Sequence, residues 1–233
     1  MRILLKTALP LAGLCVFMCI LSSIAYTQVT SSSQLLSGFN QFADTSLKNV
    51  PASAYPDYAK TISEYLTGGR TDLNVTAADG TERPGFTEKE LAHMMDVLGL
   101  VRRLSLFRYF SGGLFLLILG LCCWCFRSET PGAILRDILA GIAVGCYLLM
   151  GLILALALWG TLNFTGLFVT FHKALFNNSL WLLNPREHLL IMLMPTPFFI
   201  WYAKQILFSF WPVLVLAIAV LAGQLRLSKQ SVN

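Results

Sequence analysis
The chain holds three histidines, His93, His172 and His188, and the first two are its best candidates for proton transfer. An imidazole with an unperturbed pKa near 6.5 takes up and returns a proton at neutral pH, as a general acid or base must. His93 stands in Phe86-Thr-Glu-Lys-Glu-Leu-Ala-His93-Met-Met-Asp-Val97. Glu90 and Asp96 lie one helical turn before and after it, where they either orient and charge its ring or serve as solvated surface groups. His172 stands in the aromatic stretch Phe168-Val-Thr-Phe171-His172-Lys173-Ala-Leu-Phe176, followed by Asn177, Asn178 and Trp181. These last three line a polar site or rest at headgroup level, where tryptophan is enriched. A single histidine at a bilayer surface is most simply an interfacial polar residue. Two on one side can share one reacting centre.

Other groups carry less. Cys122-Cys123-Trp124-Cys125 contains a CxxC spacing, but it ends an apolar run with no histidine beside it. The six cysteines all fall in apolar runs and read as small packing residues rather than a disulfide framework. Lys204 either snorkels to an interface or offers its charge to an oxyanion. No phosphate-binding loop, dinucleotide fingerprint, HExxH or GxSxG is present.

What must position the histidines is a set of membrane helices. Of 233 residues, 56% are hydrophobic and 12% charged, with a mean hydropathy of +0.66. Soluble domains carry roughly 25% charged residues, so the missing charge implies a lipid solvent. The net charge of +5 forms no basic stripe and implies no nucleic acid. It flanks apolar runs, as an anionic membrane surface favours. The predicted architecture is an all-α integral membrane protein, one membrane domain over 1–233. Its four transmembrane helices fall at about 7–29, 107–126, 138–159 and 197–221, with an extracytoplasmic helical segment, 30–106, between the first two. The first run resembles a signal peptide in its basic start, but it exceeds the usual apolar length of roughly 7–15 residues and reads as a retained span. The stretch 161–185 is interrupted by Asn163, His172, Lys173, Asn177 and Asn178. A charge at mid-span costs about 2.5–3.5 kcal/mol, which favours an interfacial helix between the last two spans over a fifth crossing. Loop Lys and Arg place both termini inside, with Arg102, Arg103 and Arg108 opposing. His93 and His172 then share the outer face.

Within 30–106, Tyr58, Ile62, Tyr65 and Leu66 have helical spacing, and Gly68-Gly69 ends that helix. Asp79-Gly80 signals a turn. Thr87-Glu88-Lys89-Glu90 is a capping box that starts a second helix, with Leu91, Met94, Met95, Leu98 and Val101 on one face. These helices are expected to lie on the membrane without a separate core. Gly112-Gly113 and Gly141-Ile-Ala-Val-Gly145 predict close helix contacts.

The stretch Ile62-Ser-Glu-Tyr65-Leu-Thr-Gly68 with Phe86–Val97 resembles the region before the second span of the lipoprotein intramolecular transacylase (Lit) family. Phe171–Pro185, Leu190-Ile191 and Pro195-Thr-Pro-Phe198-Phe199 resemble that family's second outer loop, and the four-span plan is similar too. His188 and Thr196 depart from the family's pattern. The resemblance implies an O-to-N acyl shift within one diacylated bacterial lipoprotein. The sn-2 acyl chain of the diacylglyceryl group would pass to the amine of the N-terminal cysteine and leave the lyso form. The family's paired histidines correspond to His93 and His172, whose separate roles the sequence leaves open. Glu90, Asp96, Asn177 and Trp181 are the candidate supporting or substrate-binding residues. No metal or cofactor is implied, and the partners are the diacylated lipoprotein and membrane lipid.

Two other readings stand beside this one. A non-enzymatic membrane module, such as a small transporter or assembly subunit, would place polar residues inside its spans. Another interfacial lipid acyltransferase or hydrolase could use the same two histidines. Topology is directly testable. Cysteines placed at Ser33 and Asn184 are expected to react with an impermeant maleimide from outside, and labelling from opposite faces would show that 161–185 crosses the membrane.

Overall fold
The computed structural model describes residues 2–125, 131–213 and 215. Among these there is no strand, only an isolated bridge between Thr76 and Glu82. The helices are α1 (Arg2–Thr30), α2 (Ser32–Phe42), α3 (Tyr55–Thr67), α4 (Glu88–Cys125), α5 (Pro131–Leu162), α6 (Phe164–Leu175), α7 (Leu189–Leu193) and α8 (Thr196–Ser209). Ala8–Thr30, Glu88–Cys125 and Ile138–Leu162 are long and apolar enough to cross a membrane. The predicted fourth span begins as α8, but positions 214 and 216–221 lie outside the described residues. So do 126, the predicted end of the second span, 127–130 just after it, and the basic Arg226 and Lys229.

The capped helix and the second span form one helix of 38 residues, α4. At 1.5 Å per residue that is about 57 Å, nearly twice the roughly 30 Å of hydrocarbon in a bilayer. Its side chains divide accordingly. Arg102 and Arg103 are exposed, and just beyond them Leu106, Phe107, Tyr109, Phe110, Leu116 and Leu117 face outward. The turns that carry His93 precede this apolar stretch. Helix α6 has only 12 residues, about 18 Å, too short to cross.

The described residues divide into two compact units. The first lies within 1–24, 105–163 and 209–233. Here α5 meets α1 through the predicted glycines. A Cβ on Gly141 would run into Leu9, reaching its carbonyl carbon at 2.8 Å, and one on Gly145 would come within 2.7 Å of the Gly13 carbonyl carbon. Only a residue without a side chain lets the backbones approach this closely.

The second unit, 25–104 with 164–208, corrects the expectation of helices without a core. Phe39, Tyr58, Ile62, Leu189, Leu193 and Phe198 are buried together in it. The covering residues come from α7 and α8, more than a hundred positions from α3, so no local pattern announces them. Helix α3 buries Tyr58, Ile62, Tyr65 and Leu66 as its spacing predicts. Gly68 ends it in the left-handed region at φ 81°. The Asp79-Gly80 turn forms, with Gly80 N–H donating to the Ala77 carbonyl at 2.9 Å. The apolar face assigned to the start of α4 is only half right. Met94 and Val101 are buried, but Leu91 and Met95 are exposed. Two of the last carbonyls of α1, which have no partner within the helix, are taken by side chains. Tyr202 OH donates to Gln28 at 2.7 Å and Ser63 Oγ to Thr30 at 2.6 Å.

Gly141 and Gly151 of α5 make a matched test, since nothing lies within 4 Å of a Cβ at Gly151. Overpacking costs about 1–3 kcal/mol. Gly141→Ala is therefore expected to lower the melting temperature in detergent by several degrees, and Gly151→Ala to leave it within about a degree.

Candidate active site
The capping box delivers the first histidine. Glu90 N–H donates to Thr87 Oγ1 at 3.4 Å, and Glu90 Oε2 accepts from Thr87 N–H at 2.7 Å. Helix α4 starts there, and His93 follows in its first turns, with 8% of its surface exposed. His172, equally buried, lies at the end of α6. Both belong to the second unit. Their ring centroids are 6.4 Å apart, with planes inclined at 34°. At this separation one substrate atom can come within hydrogen-bond reach, about 2.6–3.2 Å, of a nitrogen on each ring.

Aromatic rings surround the pair. His172 has Phe168 at 4.0 Å, Trp181 at 4.9 Å and Phe176 at 5.8 Å, and His93 has Phe176 at 5.5 Å. His172 Nδ1 lies 2.8 Å from the Phe168 carbonyl. A carbonyl only accepts, so Nδ1 carries the proton and Nε2 presents a lone pair. His93 Nδ1 is buried and has no hydrogen-bond partner among the described residues. Such an atom costs about 1–3 kcal/mol unless something pairs with it.

Burial also sets protonation. Desolvation first, and the nearby His172 second, push His93 down to about 4, with Asp96 partly opposing. Desolvation lowers His172 as well, against the Phe168 bond. Both rings are thus neutral at pH 7.

The remaining candidates are placed unevenly. Glu90 is fully buried, yet it does not hold His93. Its Oε1 accepts the Leu190 N–H at 2.6 Å. Asp96 Oδ2 accepts from Asn178 Nδ2 at 2.8 Å. Its neighbour Asn177 is exposed. Trp181 faces His172 and donates from Nε1 to the Asn178 carbonyl at 2.9 Å. His188 is also buried. Its Nδ1 accepts the Asn184 N–H at 3.0 Å, closing the turn before α7. Lys204 is exposed. Sequence reasoning gives Phe168 only a packing role and has no ground to prefer Asn178 over Asn177. The four-residue spacing of Phe168 and His172 carries a signal for the first, whereas nothing local marks the second.

The sequence model of the lipoprotein intramolecular transacylase Lit family matches residues 10–199, most of the chain. This chain belongs to that family. It is accordingly an enzyme, an intramolecular transacylase built of membrane helices, which removes the transporter or assembly-subunit reading. Among curated protein sequences none matches the chain. The in meso structure of the membrane-integral Lit from Bacillus cereus has a TM-score of 0.71 at 16% identity, covering 97% of this chain and 98% of that one. A form of the same protein with one histidine changed to arginine gives 0.64 at 16% identity, over 97% and 93%. Another with alanine there gives 0.63 at 17%, over 98% and 94%. These likenesses show the Lit fold.

Nitrogen-15 NMR of histidine-labelled protein checks the electrostatics. His93 is expected to remain neutral at about pH 5.5 and to gain its proton only at about pH 4, with His172 protonated on Nδ1 alone at pH 7. An imidazolium signal from His93 at about pH 6 contradicts this.

Proposed function
We propose that this transacylase moves the sn-2 acyl chain of a lipoprotein's diacylglyceryl group to the amine of its own N-terminal cysteine, giving the lyso form. The observation that supports the reading is the pair of buried imidazoles whose ring centroids lie 6.4 Å apart. An α-amino group has a pKa of about 7.7–8.0, so a modest base suffices. His172 Nε2, whose lone pair is fixed by the Phe168 bond, takes a proton as the amine attacks the ester carbonyl. His93 hands its proton to the departing glycerol oxygen as it takes one from the protonated His172, so neither ring becomes an imidazolate. The sum is one ester broken, one amide formed and one hydroxyl released. No serine or cysteine nucleophile is required, because donor and acceptor belong to one molecule and the site supplies orientation. Trp181 holds the face of His172, and Asp96 anchors the loop that carries Trp181. Exposed Asn177 is a candidate contact for the substrate's polar glycerol end. Glu90 supports the start of α4.

The topology belongs to the same proposal. The chain is one multi-pass membrane domain with four spans at about 7–29, 107–126, 138–159 and 197–221, both ends inside, and residues 30–106 and 160–196 outside. The short α6 then lies in the interface, where a substrate enters sideways from lipid.

In a host whose lipoproteins are diacylated with a free amine, expression is expected to yield lyso lipoproteins by mass spectrometry. General acid–base participation is worth roughly 10²–10⁴-fold. His93→Ala and His172→Ala should each lose that much activity while the protein still inserts. His188→Ala, which loses only a turn contact, should lose less than about tenfold. A loss below about tenfold at both paired histidines counts against their catalytic role.

A further inference from the structure
Three hydrogen bonds tie the first turns of α4 to the segment between α6 and α7 and to α7 itself. Lys89 Nζ donates to the Leu182 carbonyl at 2.6 Å, Glu90 Oε1 accepts from Leu190 N–H at 2.6 Å, and Asp96 Oδ2 accepts from Asn178 Nδ2 at 2.8 Å. His93 lies inside this bracket on one side. The tied segment carries Trp181 against His172 on the other. The Lys89 and Asp96 bonds are exposed and compete with water, whereas the Glu90 bond is buried.

Glu90 uses its two oxygens for two different ends. Oε2 takes the Thr87 N–H and starts α4, while Oε1 takes an amide in the first turn of α7 that has no partner inside that helix. The side chain is 0% exposed and touches neither imidazole nitrogen through any of these bonds. A polar group buried so deeply persists only where its hydrogen bonds are complete. We propose that Glu90 is a positioning residue for the acyl shift: by joining the starts of α4 and α7 it sets His93 at its distance from His172. This rests on the histidine reading above. The isosteric amide cannot replace it, because one oxygen becomes an NH2 donor facing a backbone N–H donor.

The test uses the purified full chain in detergent with a synthetic diacylglyceryl-cysteine lipopeptide. Glu90→Gln is expected to lower kcat at least about tenfold with KM within about twofold, because the site still accepts substrate but no longer aligns the proton donors. Glu90→Asp, one methylene shorter, keeps the carboxylate but cannot reach both amides, and is expected to lose kcat likewise. Folded variants that keep more than about a third of the kcat, or that raise KM at unchanged kcat, overturn the proposal. Loss of fold in both variants overturns it too, leaving a purely structural carboxylate. The histidine variants run alongside separate the cases. If His93→Ala and His172→Ala are inactive while Glu90→Gln is not, positioning alone fails. If both histidine variants remain active, the reading of the site fails.

Discussion
A carboxylate with no surface open to solvent holds two helix starts in place in the second unit. Glu90 ranks with Tyr58, Ile62, Leu189 and Phe198 among the largest fully buried side chains. Removing such a group from water is costly unless its hydrogen bonds are replaced. Here two backbone amides, at Thr87 and Leu190, supply them. Both amides sit at helix starts, where N–H groups otherwise lack partners. One side chain therefore fixes where two helices begin. His93 follows from the first, and the apolar Leu189, Leu190 and Leu193 that close the core follow from the second.

Burial serves the chemistry as well as the fold. Desolvation holds both histidines neutral where an exposed pair would be partly charged. Neutral rings offer one donor and one acceptor each, which suits the proposed transfer of a proton from an amine and of another to an alcohol. The Phe168 carbonyl adds direction by fixing which nitrogen of His172 is the acceptor. In that reaction the acyl donor and acceptor share one molecule. The enzyme then contributes orientation and two proton transfers rather than a covalent intermediate.

Much of this is legible in the sequence wherever its cause is local. The Thr87–Glu90 box, the Gly68 stop and the Asp79-Gly80 turn each depend on residues within a few positions, and each forms as read. The pairing of His93 with His172 is legible only through span parity and the family resemblance. The separate core escapes the sequence because residues of α7 and α8 cover α3, and pairing across a hundred residues leaves no periodic trace. Glu90 shows the limit well. Its capping bond is readable, but its second bond, to Leu190, is not, and a turn-by-turn reading aims it at His93 instead. The exposed Leu91 and Met95 similarly follow from which side the distant segment occupies.

An acyl chain that never leaves the molecule carrying it is the core of the proposed mechanism, and a crossover experiment tests it most directly. Lipopeptide with deuterated acyl chains and unlabelled peptide is mixed with lipopeptide carrying ordinary chains on a nitrogen-15 peptide, and the purified enzyme converts both. An intramolecular shift predicts lyso products in which every N-linked chain retains the label of its own peptide. Products that combine a deuterated N-linked chain with a nitrogen-15 peptide, in the proportion expected from mixing, would contradict it.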